Sequence, residues 1–464
     1  MSWRGRMPPA LATAAAISLV LALVSLALPS GPGYDPYAWL LWGRDLAHLG
    51  LSVGGTGTSW KPLPALIDAL LAPLGRNASD GWIVVSRAGA LFAVFMAGRV
   101  AWRLAPQGFR PVGAAVAAAT LLLTHQWVRI EGVGNSEGLM AAFGLLAVDR
   151  HLDRRHGQAL AWMVAAGMIR VEVWPFLGAY ALWLAWRSRG WMRPAAVLGA
   201  LLAPVFWFGG DWVGSGHLTT AADRALVPIP GSPGASPHPA LAVASDAVTM
   251  VPLPAWIAIA AGLAAALLRR RLTPVPALTA CAVAWTAVVA AMAERGYGGL
   301  PRFVFGASAL EAVAAGIGAA IAAAWLARGR RAAVGGLSAL ALAAFALGSV
   351  PDARLLPQAA AGIDRVADTD AELAAAVSSA GGPGAVMRCG TPSAPWYTVT
   401  AIAWDLGVTP DAINRGLSGP VEFKQSGGGW AMSEARRCRL VAAQSAQVRH
   451  GAAHEQRAHH HRNA

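Results

Sequence analysis

The sequence predicts an all-α membrane protein that crosses the bilayer many times and ends in a small α+β domain. Its 464 residues are 56% hydrophobic and only 13% charged, with a mean hydropathy of +0.47. A water-soluble enzyme of this length does not have that balance. Apolar stretches alternate with short Arg-rich segments, the pattern of membrane spans joined by cytoplasmic loops. After Pro351 the composition becomes that of an ordinary soluble protein, which predicts the added domain.

The net charge of +13 does not indicate a nucleic-acid-binding protein. Of the 37 basic residues, all except Lys61 and Lys424 are Arg, and many lie in short loops between apolar runs. Such clustering is typical of the cytoplasmic side of a membrane protein. The 20 Trp residues suit anchoring at the membrane interface, so membrane lipids are expected partners and nucleic acid is not. Abundant Ala, Gly, Arg and Pro are typical of a GC-rich bacterial genome, which predicts a bacterial plasma membrane.

The first span is expected at residues 8–28 and is interpreted as a retained anchor, since it lacks a small-residue cleavage site. The basic residues before it predict a cytoplasmic N-terminus. Residues 30–80 then form the first outer loop. Two amphipathic pieces in this loop, at 37–49 and 63–74, are too short to span and are expected to lie along the interface.

Two later stretches are bounded by positive charge at both ends and are expected to rise and return as pairs of short helices. The first, 111–149, turns at 124–138, and the second, 158–186, is interrupted at 169–175. Each arm has about 12 to 15 residues, or roughly 20 Å, which is less than a bilayer crossing. Residues in the second interruption should therefore lie below the outer surface.

The remaining spans complete about eleven crossings and place the C-terminal domain outside the cell. The second span is expected at 82–103, and the later ones at 195–208, 251–268, 274–292, 304–326 and 332–350. The segment 209–239, rich in Gly, Pro and Ser, predicts an irregular outer loop. The predicted division is a membrane domain at 1–350, an extracytoplasmic domain at 351–448 and a disordered tail at 449–464.

Within the extracytoplasmic domain, helical stretches are expected at 368–379 and 398–406, a short apolar run at 385–388, and strands at 421–424 and 438–442. Cys389 and Cys438 lie in this outward-facing unit and are expected to form a disulfide, with two free thiols as the alternative. The aromatic residues of this unit could stack on sugar rings, but core packing is the favoured interpretation. They are Trp396, Tyr397, Trp404 and Trp430.

Asp35 is the candidate general base, because a carboxylate at a partly dry interface can have its pKa raised. The alternative is a cap on the helix that begins at Pro36. Three cations are candidate phosphate ligands: Lys61, Arg170 and Arg302. Arg170 could instead form a structural ion pair with Glu172, and Arg302 could merely snorkel to the membrane surface. Further candidate substrate-binding residues at the turns are His125, Arg129, Glu131, Glu137 and Tyr297.

An acid just after the first span, interfacial helices in a long first loop and short paired helices resemble the GT-C superfamily of integral membrane glycosyltransferases. The motifs that carry the resemblance are NSEG at 135–138, RVEVWPFL at 170–177 and GYGGLPRF at 296–303. The resemblance covers roughly residues 10–350 and is to the mannosyltransferase type. It implies inverting transfer of a sugar, such as mannose or arabinose, from a polyprenyl-phosphate donor to an extracytoplasmic glycan, glycolipid or protein of the cell envelope. Asp35 would be the base, the three cations would meet the departing phosphate, and Glu172 would orient Arg170.

No obligatory cofactor is predicted. Many GT-C members have two near-adjacent acids in the first loop, whereas here the next acid after Asp35 is Asp45, at the far end of the predicted helix. A metal held by an acid pair is therefore not expected, and a divalent cation is left open. Two other functions are considered. A transporter or flippase of a lipid-linked sugar is disfavoured by the lack of an inverted repeat, and a non-catalytic scaffold for envelope assembly gives no reason for ionisable residues at the helix turns.

Overall fold

The structure, a computed structural model, describes residues 8–55, 57–269, 273–416, 419–426 and 429–434. The helices of its membrane region are α1 (Pro9–Val24), α2 (Tyr34–Ala47), α3 (Pro62–Leu71), α4 (Ala78–Leu104), α5 (Arg110–Leu123), α6 (His125–Gly132), α7 (Glu137–Leu152), α8 (His156–Gly167), α9 (Trp174–Arg187), α10 (Met192–Ser215), α11 (Thr220–Ala225), α12 (Pro239–Thr249), α13 (Leu253–Arg269), α14 (Pro274–Ala293), α15 (Phe305–Ala327) and α16 (Val334–Gly348). The predicted multi-pass all-α architecture is confirmed.

Five helical segments in the described part of the chain are long and apolar enough to cross a membrane, or up to eight if each of three bent helix pairs is one span. The five segments are Pro9–Ala27, Pro62–Leu104, Met192–Ser215, Pro274–Ala293 and Pro301–Ala327. Helices α7, α8 and α9 have only 16, 12 and 14 residues. Since none of these is a full crossing by itself, the count of about eleven stays a prediction.

The short helix pairs are present where the charge pattern placed them. Helix α5 bends by 63° into α6 within the first predicted turn. Helix α8 ends at Gly167 and α9 begins at Trp174, with Pro175 in its first turn, where proline costs no hydrogen bond. The predicted break at 169–175 therefore separates two real helices, and Arg170, Val171 and Glu172 of this break line a cavity.

Helix α15 is the buried centre of the membrane region, and its composition explains why. Most of its residues are Ala or Gly, which let α5 and α13 approach closely. A Cβ atom added at Gly262 of α13 would lie 3.0 Å from the Gly318 Cα of α15. The small side chains thus set the helix separation here.

The segment after α10 is more regular than predicted. Helix α10 continues to Ser215, α11 follows, and α12 precedes α13 at a bend of 94°. The Asp211 carboxylate accepts a hydrogen bond of 2.7 Å from the Ala221 N–H, which ties the start of α11 to α10. This long-range bond has no local sequence signal, so the Gly and Pro content alone indicated an irregular loop.

The small α+β unit at the C-terminal end is confirmed. Its helices are α17 (Val350–Ala353), α18 (Leu356–Ser379), α19 (Pro383–Arg388) and α20 (Val399–Leu406), and its strands are β1 (Pro392–Ala394), β2 (Asn414–Arg415), β3 (Val421–Ser426) and β4 (Gly429–Glu434). The sheet order is β2-β1-β3-β4, with β1 parallel to β2 and β3, and β4 antiparallel to β3. The helices of this unit pack on a core that includes Leu373, Ile402 and Phe423.

The α+β unit rests on the first outer loop. Helix α20 packs against α2, and α18 packs against α6. The Thr400 hydroxyl donates to the Tyr34 carbonyl at 3.0 Å, and Arg44 donates to the Val408 carbonyl at 2.7 Å. These two bonds tie the start and the last turn of α2 to the α+β unit. The strand predicted at 438–442, Cys438 and the tail at 449–464 lie outside the described residues, so the disulfide and the domain limits stay predictions.

Candidate active site

A cavity of about 800 Å³ opens between the first outer loop, the break before α9, the segment before α15 and the α+β unit. Its wall is mixed, with aromatic and aliphatic side chains around a set of ionisable groups. The charged lining residues are Asp35, Lys61, Arg170, Glu172, Asp211, Arg224, Arg302 and Arg415. A concave site of this size with a few converging polar groups is the usual form of a small-molecule site.

Asp35 lies in the first turn of α2, facing the cavity. The residue before this helix is anchored to the segment after α6, because the Gly33 N–H donates to the Val133 carbonyl at 2.9 Å. One Asp35 carboxylate oxygen, Oδ2, accepts a hydrogen bond of 2.5 Å from Nη2 of Arg302. The other guanidinium arm of Arg302 donates to the side-chain oxygen of Asn135. The side chains of Asp35 and Arg302 are only 13% and 17% exposed, so this ion pair is largely shielded from solvent.

The pKa of Asp35 is lowered, and not raised as the sequence suggested. Burial alone would raise the pKa of this carboxyl, but the charges of Arg302 and then Lys61 outweigh burial and hold it below its ordinary range. The sequence-based expectation considered the dry interface and not the partner that folding would bring. Asp35 is therefore ionised at neutral pH and forms an ion pair with Arg302.

Lys61 is a buried cation, with a residue exposure of 4%. Its Nζ atom lies 3.2 Å from the Ser136 hydroxyl and 3.5 Å from Oε1 of Glu137, and 4.4 Å from the centre of the Trp39 ring. Burial lowers the pKa of Lys61 to about 8, although the nearby Glu137 carboxylate raises it. The positive charge of Lys61 is thus stabilised by the Glu137 carboxylate and by the face of the Trp39 ring.

Arg170 occupies the extended backbone between α8 and α9 and contacts two carboxylates. Its Nε atom donates to Glu172 Oε2 at 3.0 Å, its Nη2 also contacts the other Glu172 oxygen, and its Nη1 donates to Glu137 at 3.1 Å. Nη2 further donates to the Tyr297 hydroxyl at 2.7 Å, and the guanidinium lies 4.0 Å from the centre of the Phe303 ring. Tyr297 in turn donates to Glu172 at 2.9 Å. Glu172, Glu137 and Tyr297 thus hold the Arg170 guanidinium in place.

The structure brings six of the sequence-predicted residues to the cavity wall. They are Asp35, Lys61, Arg170, Glu172, Tyr297 and Arg302. Glu137 lies directly behind them as the shared partner of Lys61 and Arg170. Glu131 is buried near Glu137, outside the lining.

His125 and Arg129 also lie outside the lining, toward the C-terminal helices. The ring of His125 is close enough to Asp352 of α17 to feel its charge. The Arg129 side chain passes Gly362 of α18, where an added Cβ would lie 3.5 Å from Arg129 Cδ. Both residues thus face the contact between α6 and the α+β unit.

Several lining residues were not among the sequence-predicted candidates. Asn135 belongs to the NSEG motif, and Tyr34 immediately precedes Asp35, so neighbouring motifs could have indicated both. Arg224 and Arg415 had no such signal, because their place in the wall depends on tertiary packing. Trp396 and Tyr397 correct the core-packing interpretation, since each is 48% exposed and both line the cavity.

Comparison with known proteins supports the fold. No protein-family model matches the sequence, and no curated protein sequence matches it. ArnT from Cupriavidus metallidurans, crystallised bound to undecaprenyl phosphate, superposes with a TM-score of 0.52 and 14% identity, over 87% of this chain and 89% of that chain. The Archaeoglobus fulgidus oligosaccharyltransferase, crystallised with a tethered acceptor peptide containing the NVT sequon, gives a TM-score of 0.46 and 13% identity, over 86% of this chain and 63% of that chain. The similarity over most of both chains shows that this protein shares the fold of ArnT.

Proposed function

We propose that this protein is an inverting glycosyltransferase that moves a sugar from a polyprenyl-phosphate donor to a cell-envelope acceptor on the extracytoplasmic face of a bacterial plasma membrane. One observation carries the proposal: a carboxylate and three largely shielded cations converge on one cavity. Charged groups at this depth are costly, and they are kept chiefly where they serve a site. The fold shared with ArnT, which binds undecaprenyl phosphate, supports a polyprenyl-phosphate donor.

The proposed reaction assigns Asp35 to the acceptor. Its carboxylate takes the proton of the acceptor hydroxyl while the hydroxyl oxygen attacks the anomeric carbon. The bond from that carbon to the phosphate oxygen breaks, and its electron pair stays on the phosphate. The attack comes from the face opposite the leaving group, so the anomeric configuration inverts and no sugar–enzyme bond forms.

The three cations are assigned to the leaving phosphate. The donor phosphodiester carries one negative charge, and the released polyprenyl phosphate gains a second. Lys61, Arg170 and Arg302 lie in the wall where that charge would develop; the planar guanidinium of Arg302 suits two-point contact with phosphate oxygens, and Arg170 contributes mainly its charge. Glu172 and Tyr297 hold Arg170 in place, so this cation need not reorganise during the reaction. No protein-held metal is assigned to the step.

The proposal is tested with purified full-length protein in nanodiscs and a panel of radiolabelled polyprenyl-phosphate sugars, including mannose and arabinose. The variant Asp35→Asn should reduce turnover about 100-fold or more, the usual range for a general base. Asp45→Asn is the matched control, since Asp45 lies on the same helix and only accepts a hydrogen bond from the Ser52 N–H at 3.3 Å.

The outcomes separate the proposed function from its alternatives. Turnover of one donor that Asp35→Asn abolishes and Asp45→Asn spares supports the transferase and identifies the sugar. Equal turnover in wild type and Asp35→Asn would remove Asp35 from the mechanism. Absence of turnover with every donor, together with movement of the lipid-linked sugar across liposomes, would overturn the transferase in favour of a transporter.

A further inference from the structure

The outer mouth of the cavity is formed partly by the α+β unit, which contributes Trp396, Tyr397 and Arg415 to its wall. Trp396 and Tyr397 are 48% exposed, although large aromatic side chains in a small domain usually fill its core. The Trp396 ring contacts Tyr34 edge-on at a centroid distance of 6.0 Å, and Tyr397 at 5.9 Å. The three rings therefore form one aromatic surface with accessible faces.

This aromatic surface is fixed next to the proposed base. The Tyr34 hydroxyl accepts a hydrogen bond of 2.8 Å from the Gly57 N–H, and the Tyr34 carbonyl accepts one of 3.0 Å from Thr400. Space at Gly57 is limited, because an added Cβ would lie 3.0 Å from the Tyr34 hydroxyl and 3.6 Å from the Trp396 ring. Since Tyr34 directly precedes Asp35, a molecule resting on these rings would reach the base without rearrangement of the loop.

Two guanidinium groups lie beside these rings without a carboxylate partner. Arg224 donates to the Val53 carbonyl, and no ion pair joins Arg224 or Arg415 to an acid among the described residues. Lys61, Arg170 and Arg302, by contrast, are each paired deeper in the same cavity. Both guanidinium groups line the same mouth of the cavity, and burial and then the charge of Arg415 lower the pKa of Arg224. The Asp211 and Asp411 carboxylates act on Arg224 less strongly than Arg415 does, and neither is ion-paired with it, so two closely spaced guanidinium groups of this kind favour an anion.

We infer that the mouth formed by Tyr34, Trp396, Tyr397, Arg224 and Arg415 is the acceptor subsite, and that it binds a saccharide carrying a phosphate or carboxylate group. Ring faces bind the apolar face of a sugar, while the guanidinium pair binds its anionic group. This inference rests on the proposed function. The donor phosphate is a second source of the same anionic chemistry, but the deeper cations surround the position proposed for it, and Arg415 is exposed toward the outer face.

Two ligands distinguish the two sources in binding titrations on full-length protein in nanodiscs. Glucose 6-phosphate, compared with glucose, probes an anionic saccharide site, and decaprenyl phosphate probes the donor phosphate site. Trp396→Ala and Arg415→Ala should each weaken glucose 6-phosphate binding about tenfold or more, the usual effect of losing a charge-assisted or aromatic contact. Trp396→Phe, which keeps a ring, should retain most of the affinity. Arg388→Ala, at another exposed arginine of the same unit, is the matched control and should bind like wild type.

Decaprenyl phosphate binding should be unaffected by Arg415→Ala and reduced by Lys61→Met. The inference is overturned if glucose and glucose 6-phosphate bind equally, if wild type binds neither up to the solubility limit, or if Arg415→Ala leaves glucose 6-phosphate binding unchanged. Loss of decaprenyl phosphate binding in Arg415→Ala would assign the guanidinium pair to the donor instead. Failure of the proposed function is separate, because it would appear as wild-type protein that neither binds decaprenyl phosphate nor releases sugar. Equal melting temperatures of the variants exclude a folding defect.

Discussion

Replacing Arg302 by Gln should shift the pH dependence of sugar transfer toward higher pH. In the wild-type protein, Arg302 and then Lys61 oppose the effect of burial and hold the pKa of Asp35 below its ordinary value. Without the guanidinium, burial is opposed mainly by the more distant Lys61. The pKa of Asp35 should therefore rise, and the base should become protonated at a higher pH as the solution is acidified.

The size of the shift follows from the ion-pair geometry. Nη2 and Oδ2 lie 2.5 Å apart, which places the centres of the two charges at about 4 Å, where an effective dielectric constant of about 20 gives roughly 4 kcal/mol. That energy corresponds to about 3 pKa units, and measured effects of an adjacent Arg on Asp range from about 1 to 3 units. We expect the acidic limb of the kcat/KM profile to move up by about 1 to 3 pH units.

The assay is kcat/KM for the accepted donor between acidic and neutral pH, with Arg302→Lys as the control. Lysine keeps the positive charge, so its acidic limb should stay near that of wild type even if its rate falls. Carbodiimide labelling of Asp35, which needs the protonated carboxyl, measures the same pKa in a variant that is too slow to assay. An acidic limb and a labelling profile that are unchanged in Arg302→Gln would show that Arg302 does not control the ionisation of Asp35.

Three further predictions concern the other buried groups and the metal. Lys61 has a pKa of about 8, so wild-type kcat/KM should fall above that pH as the cation loses its charge, and Lys61→Arg should remove the fall; a decline that persists in Lys61→Arg would implicate another group. Glu172→Gln should lower the melting temperature clearly, since breaking a buried ion pair costs about 3 to 5 kcal/mol, whereas Asp364→Asn at an exposed position of α18 should not. Turnover should persist after treatment with EDTA, and a loss that Mg²⁺ restores would contradict the metal-free step.

The membrane architecture could be predicted largely from charge and hydropathy, because both act locally along the chain. Arg-rich ends of the stretches at 111–149 and 158–186 predict that both ends of each stretch lie on one side of the membrane, and the limited length between those ends requires a break. The structure contains both breaks, at α5–α6 and between α8 and α9. Helix α12 and the order in α11 were missed, since the Asp211 bond that organises this segment joins distant turns.

The contacts of the candidate site could be predicted only where the partners are close in sequence. Arg170 and Glu172 are two residues apart in one break, so their pairing follows from the motif. Lys61 and Glu137 form their ion pair only when the first outer loop packs against α7, and no local sequence pattern predicts that packing. Likewise, β1 and β2 have three and two residues, too few for an alternating pattern to be recognised.

The pairing of charges in the cavity bears on how the proposed reaction would proceed. Arg302 is bonded to Asp35, so it neutralises the base and lowers its affinity for a proton. When Asp35 takes the acceptor proton, its negative charge disappears at the stage when the leaving phosphate gains one. The Arg302 guanidinium can then pass its hydrogen bonds from Asp35 to the phosphate, and the net charge of the buried site stays constant. An arginine shared between base and leaving group in this way would make deprotonation of the acceptor and departure of the phosphate favour each other, so Arg302→Lys should impair transfer more than it impairs donor binding.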